Sequence, residues 1–217
     1  MSLNILQNQL VLETTNYIHT YFEGERSGHD WWHIHRVRNL AKKIAVKEGG
    51  NLFLVEMAAL LHDLDDWKLN HSTNKSRAEN WLKKIQIEKP DLEKILEIID
   101  QVSFKGAGVE THATSVEAKI VQDADRLDAI GAIGIARAFS YGGFKKRALY
   151  DPDIKPNLNM TKEEYKKSTA PTITHFYEKL LLLKDLMKTK SGKRIAEERH
   201  KFMLKFLDEF YKEWTGK

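Results

Sequence analysis

"ALLHDLDDWK", residues 59–68, sets an imidazole and three carboxylates against an apolar run, and the fold turns on how that stretch is read. Burying such groups alone costs free energy, so something must make them tolerable there. A metal ion meets the need if further ligands lie elsewhere on helix faces that can meet this one. Leu52, Val55, Ala59, His62 and Asp66 fall at three-and-four spacing on one face, and Asp63 follows His62 closely enough to converge with it at a helix end.

Two other segments repeat the anomaly. In "HDWWHIHRVRNLAKKIA", residues 29–45, His33, Val37, Leu40, Ala41 and Ile44 share one face, while His35 and Arg36 turn away from it. In "SVEAKIVQDADRLDAIGAIGIARAF", residues 115–139, the stripe Ala118, Val121, Asp125, Asp128, Ala132, Ile135 and Phe139 is interrupted by two carboxylates. Asp123 points to the other side and is expected to be exposed. The nearly all-apolar "AIGAIGIA" predicts a helix running through the core, where acids need a cation. Three helices are thus expected to present His33, His62 with Asp63, and Asp125 with Asp128 inward. Imidazole plus carboxylate suits a divalent first-row ion such as manganese, iron, cobalt, nickel or zinc, without choosing among them.

The composition narrows the classes. With 217 residues, 41% of them hydrophobic, the chain can bury a core without staples. It has no cysteine, which excludes disulfides, thiolate zinc sites and cysteine nucleophiles. No apolar run approaches the roughly 20 residues of a membrane span, and residues 1–12 lack the pattern of a signal peptide, so a soluble, cytoplasmic protein is expected. The net charge of +4 is uneven: residues 145–217 carry 18 Lys and Arg against 11 Asp and Glu, a surplus suited to an anionic partner or to a solvated helix surface.

Helical periodicity dominates, without an alternating strand pattern or an internal repeat, and predicts an all-α protein. Helices are expected near 3–22, 31–48, 52–64, 75–86, 91–102, 114–140, 172–189 and 192–214, with Thr114 and Glu117 forming a capping box. Residues 141–171 form the one long irregular stretch, and loops of that length are usually functional or mobile.

A histidine at a helix start, a later His-Asp pair and a distant Asp in "DADRLDA" resemble the HD-domain phosphohydrolase superfamily, especially its small bacterial nucleotide-hydrolysing members. The resemblance runs through "HDWWHIHRV", "ALLHDLDDWK", "SFKG" and "VQDADRLDAIGAIGIAR" to "HFYEKLLLL". It implies a helical metal-binding domain, and the chain is read as a single HD-type domain over residues 1–217, with a metal-binding core at about 25–140 and C-terminal helices at 172–214; the length of 141–171 and the pair Gly142-Gly143 at its entrance, able to act as a hinge, suggest a flap there. It also implies His33, His62, Asp63 and Asp125 as the ligands of one divalent metal. His33 stands three residues before Arg36-Val37, and Asp125 precedes Arg126-Leu127. Asp66, three residues beyond Asp63, takes the place of an acid that orients the attacking water, with Asp65 as rival and Asp128 as a nearby or substrate-contacting acid. The histidines of a second metal are not evident, since His71 and His112 lack the surroundings.

The chemistry so implied is metal-assisted attack of water on phosphorus, with a carboxylate accepting the proton. Basic groups must neutralise the remaining phosphates, and Lys68, Lys105, Arg126, Lys145, Lys146 and Arg147 are the candidates. His175 and Lys179, one turn apart, either face the site or belong to the core. The expected reaction is release of pyrophosphate from nucleoside and deoxynucleoside triphosphates; nucleotidase or phosphodiesterase action is the alternative within the superfamily. A non-catalytic nucleotide sensor and a nucleic-acid binder using the C-terminal basic and aromatic residues are the alternatives of other classes. A homo-oligomer is compatible with the sequence.

Overall fold

The computed structural model describes residues 3–24, 30–65, 77–102, 112–161, 164 and 167–217. Every regular element among them is helical, so the protein is all-α as expected. The chain divides into two compact units, whose boundary falls between Asp125 and Arg126.

The first unit holds α1 (Ile5–Tyr21), α2 (Trp31–Glu48), α3 (Leu52–Leu61), α4 (Arg77–Lys84), α5 (Lys89–Val102) and α6 (Val116–Asp128) as far as Asp125. Its centre is α3, "LFLVEMAALL", buried at every position from Phe53 to Leu61 because α1, α2 and α5 all pack on it. A helix apolar on all sides has nowhere else to go. Asn51 starts it by accepting the Phe53 N–H at 3.0 Å. Before it, α2 ends on Gly49 at φ 83°, a conformation that costs glycine little.

One charge is buried in this apolar centre. Glu56 of α3 is 1% exposed, and its carboxylate accepts Arg38 Nη2 at 2.7 Å, Arg38 Nε at 2.8 Å and Lys42 Nζ at 3.2 Å. Arg38 also donates to Thr15 Oγ1 at 3.2 Å, so the group ties α1, α2 and α3 together. Breaking such a pair from one side strands the other charge, at a cost of about 3–5 kcal/mol. Glu56→Ala should therefore lower the urea midpoint by that equivalent with an unchanged slope. A loss below about 1 kcal/mol, the worth of an exposed pair, would mean that water reaches Arg38 once Glu56 is gone.

The second unit contains the end of α6, α7 (Gly131–Phe144), α8 (Thr172–Glu178), a 3₁₀ helix (Leu180–Leu186) and α9 (Lys190–Trp214). α7 packs on α8 and α9, and α9 on the 3₁₀ helix. Phe139, Phe176 and Phe206 meet at ring separations of 5.8–5.9 Å, so these aromatic residues serve the core rather than form an open stacking platform.

Several expectations need correction. The helix expected over 114–140 is two helices, because Gly131 takes φ 77° and the Arg199 side chain lies 2.9 Å from where a Cβ would stand. The apolar run keeps helical periodicity across the break and so conceals it. Ser115, not Thr114, caps α6, accepting the Ala118 N–H at 3.0 Å, while Glu117 receives the Asn51 N–H at 2.8 Å. Asp123 is fully buried rather than exposed, since α6 is covered on more than one side. The helix expected at 172–189 stops at Glu178 and resumes as 3₁₀. Gly142 and Gly143, expected as a hinge, lie inside α7, with Gly142 packed against Thr172.

Candidate metal centre

Three local devices in the first unit set up the site. Asp30 caps α2, accepting the His33 N–H at 2.8 Å and so fixing the turn that carries His33. At the end of α3 the backbone stays helical at His62 and closes with the Leu64 N–H on Leu61 O at 3.0 Å, which places His62 and Asp63 side by side. The third is α6, which supplies Asp125.

The four side chains converge. His33 Nε2 lies 3.3 Å from Asp63 Oδ2 and 3.4 Å from Asp125 Oδ1; His62 Nε2 lies 3.5 Å from Asp63 Oδ1 and 3.7 Å from Asp125 Oδ1. Donors bound to one ion at roughly 2.1 Å and right angles stand about 3 Å apart, so small movements suffice. His62 Nδ1 lies 2.9 Å from the Ala59 carbonyl; the N–H belongs there, and the Nε2 lone pair is left facing the cluster. That Nε2 atom is buried with no hydrogen-bond partner, a position a cation would complete.

The electrostatics point the same way. Burial opposes ionisation of Asp125, but the His33 and His62 imidazoles beside it hold its carboxyl far below the usual carboxylate range. Burial also opposes charge on His62, yet Asp63 and Asp125 outweigh it and raise the imidazole's pKa. The two acids therefore demand positive charge, which protons on the imidazoles or one divalent ion can supply. Two nitrogens and two carboxylates suit such an ion, and His33, His62 and Asp63 alone already present donor atoms within 4.8 Å of one another. Asp125, with 26% of its side chain exposed against 9% or less for the others, marks the side open to solvent.

Other expected site residues have different occupations. Asp65 accepts the N–H groups of Arg77 and Ala78, each at 3.1 Å, and so caps α4 with both oxygens. Asp128, expected to face inward with Asp125, is 3% exposed and paired with Arg137 at 2.8 Å in the second unit. Arg126 is 6% exposed and donates to the Leu186 carbonyl at 2.6 Å, so it is not an open phosphate contact. Lys145 and Lys146 are exposed, with Lys145 over the Tyr141 and Phe144 rings, and Arg147 donates to Ser168 O. Asp66, Lys68 and Lys105 lie outside the described residues, as does His71. Sequence reasoning missed Asp30, whose dipeptide with His29 looks like chance; an acid just before an aromatic helix start was the available signal.

The HD domain family profile matches residues 31–130, a span that contains the cluster. Bacillus subtilis YpgQ, an uncharacterised protein, is 40% identical over 92% of this chain and 91% of its own. A crystal structure of an HD-superfamily hydrolase from Bacillus thuringiensis is similar at 41% identity, covering 97% of this chain and all of that one, with a TM-score of 0.78. The crystal structure of YpgQ in complex with ADP matches at 42% identity over 92% of this chain and 97% of that one, with a TM-score of 0.72. This chain belongs to the HD-domain family and is a hydrolase of that superfamily.

Proposed function

We propose that the protein releases diphosphate from nucleoside triphosphates, deoxynucleotides included, using one divalent ion, with manganese preferred. The convergence of His33, His62, Asp63 and Asp125, open on the Asp125 side, carries this reading. The ADP held by the related YpgQ supports a nucleotide ligand. A divalent ion held by these four residues supplies Lewis acidity toward water and a phosphoryl oxygen. The chain does the rest: Asp30 steadies His33, the Ala59 carbonyl holds His62 in the tautomer that donates from Nδ1, and Asp66 accepts the proton from the attacking water. Lys68 and Lys105 are the basic residues that remain as candidates to neutralise phosphate charge.

The test is a panel of nucleoside mono-, di- and triphosphates and cyclic nucleotides, each with manganese, cobalt and magnesium, with products separated by anion exchange. Monophosphate and diphosphate in equal amounts from a triphosphate are expected. Orthophosphate as the sole inorganic product would move the assignment to a nucleotidase. Binding without turnover at full metal content would make the protein a sensor.

A further inference from the structure

The end of α7, in the second unit, carries an aromatic and basic cluster: Tyr141 and Phe144 in the last turn, then Lys145, Lys146 and Arg147. Rings of this size usually find cover, yet Tyr141 is 42% and Phe144 63% exposed. The cations interleave with them. Lys145 Nζ lies 5.7 Å from the Tyr141 centroid and 5.5 Å from that of Phe144, and the Arg147 guanidinium lies 5.7 Å from the Tyr141 centroid.

Backbone bonds hold the arrangement. The Arg147 N–H donates to Gly142 O at 2.9 Å and the Lys146 N–H to Gly143 O at 3.0 Å, the pattern of a helix end whose left-handed residue is normally glycine. Lysine stands there instead, at φ 54°, in a region costly to any residue with a Cβ. Arg147 is pinned further, its Nη2 donating to Ser168 O at 2.6 Å. The helix dipole accounts for one cation at the last turn; it does not account for three of them, one on a strained backbone, or for two open rings. The described contacts of Lys145 and Arg147 are to rings and a carbonyl, which bring no opposite charge.

We infer that Tyr141, Phe144, Lys145, Lys146 and Arg147 form a docking surface for single-stranded nucleic acid. Unpaired bases lie flat on the two rings, and the phosphates between them meet the ammonium and guanidinium groups alongside. A duplex keeps its bases stacked inside and offers only its charge. An acidic membrane also offers phosphate, but interfacial binding draws on a broad apolar face, and the surface here is two rings bracketed by cations. The surface lies within the second unit, uses none of the four side chains of the metal cluster and needs no metal, so it does not depend on the proposed hydrolysis.

The test is fluorescence anisotropy of a short labelled oligothymidylate titrated with the full chain, with EDTA present and chloride varied. Saturable binding is expected, with a slope of roughly −2 in log affinity against log salt, for three phosphates at about 0.7 each. Phe144→Ala should weaken binding about tenfold and leave the slope alone, since a stacking surface is lost and no charge. Lys145→Gln should flatten the slope by about 0.7. Lys146→Gly should flatten it equally while holding or raising the melting temperature, because glycine takes φ 54° without strain, so this variant separates binding from folding. Folded His62→Ala should bind as the native chain does. Equal affinity for the single strand and its duplex, native affinity in Phe144→Ala, or loss of binding in folded His62→Ala would overturn the surface. Flat anisotropy would overturn it too, and co-sedimentation with phosphatidylserine vesicles in that case would give the patch to a membrane. No turnover is read, so failure of the hydrolase proposal would leave the result intact.

Discussion

His62→Ala is expected to remove the bound metal and lower turnover by more than about a thousandfold, because it deletes the donor that nothing else in the cluster can replace. Its Nε2 is buried and without a hydrogen-bond partner, and its other nitrogen is committed to the Ala59 carbonyl. Truncation leaves Asp63 and Asp125 with one of the two imidazoles between them, His33, which weakens attraction for a divalent ion while keeping the desolvation cost of the acids. The Lewis acid is worth several kcal/mol to the transition state, and each 1.36 kcal/mol is a factor of ten in rate. Asp63→Ala should behave alike, since Asp63 touches both imidazoles. Elemental analysis of dialysed protein, with circular dichroism to establish folding, is the check. Full metal content in both folded variants would place the ion elsewhere.

Exchanging the two neighbouring acids should separate two kinds of loss. Asp66→Asn is expected to retain the metal and the native melting temperature while turnover falls by roughly two to four orders of magnitude, the range of a positioned proton acceptor. Asp65→Ala should do the reverse. Both Asp65 oxygens hold the first N–H groups of α4, so its removal should cost about 1 kcal/mol, with turnover per folded molecule close to native. Kinetics on metal-loaded protein, beside thermal melts of both variants, distinguish the outcomes. A catalytic collapse in Asp65→Ala with native turnover in Asp66→Asn would transfer the proton acceptor to Asp65.

Much of the candidate site was legible because its geometry is local. His33, His62 and Asp125 interrupt apolar stripes at helical spacing, and a side chain on such a stripe points where its neighbours point. Asp63 was readable from adjacency at a helix end. The fates of Asp65, Arg126 and Asp128 were not. Their partners stand 12, 60 and 9 residues away, and no periodicity links a carboxylate to the arginine that will take it.

The sequence by itself determined the helical class, where most helices begin, and that His33, His62, Asp63 and Asp125 face inward, since turn hydrogen bonding, caps and amphipathic faces arise from residues a few positions apart. Tertiary structure decided where the apolar run after Asp128 breaks and which charges stay open. Gly131 turns to φ 77° where Arg199 packs against its Cα and donates to the Leu127 carbonyl, a contact across 72 residues. The same holds for Glu56 and Arg38: either could have been a surface charge, and only the packing of α1, α2 and α5 around α3 made the acid a buried one that must be paired.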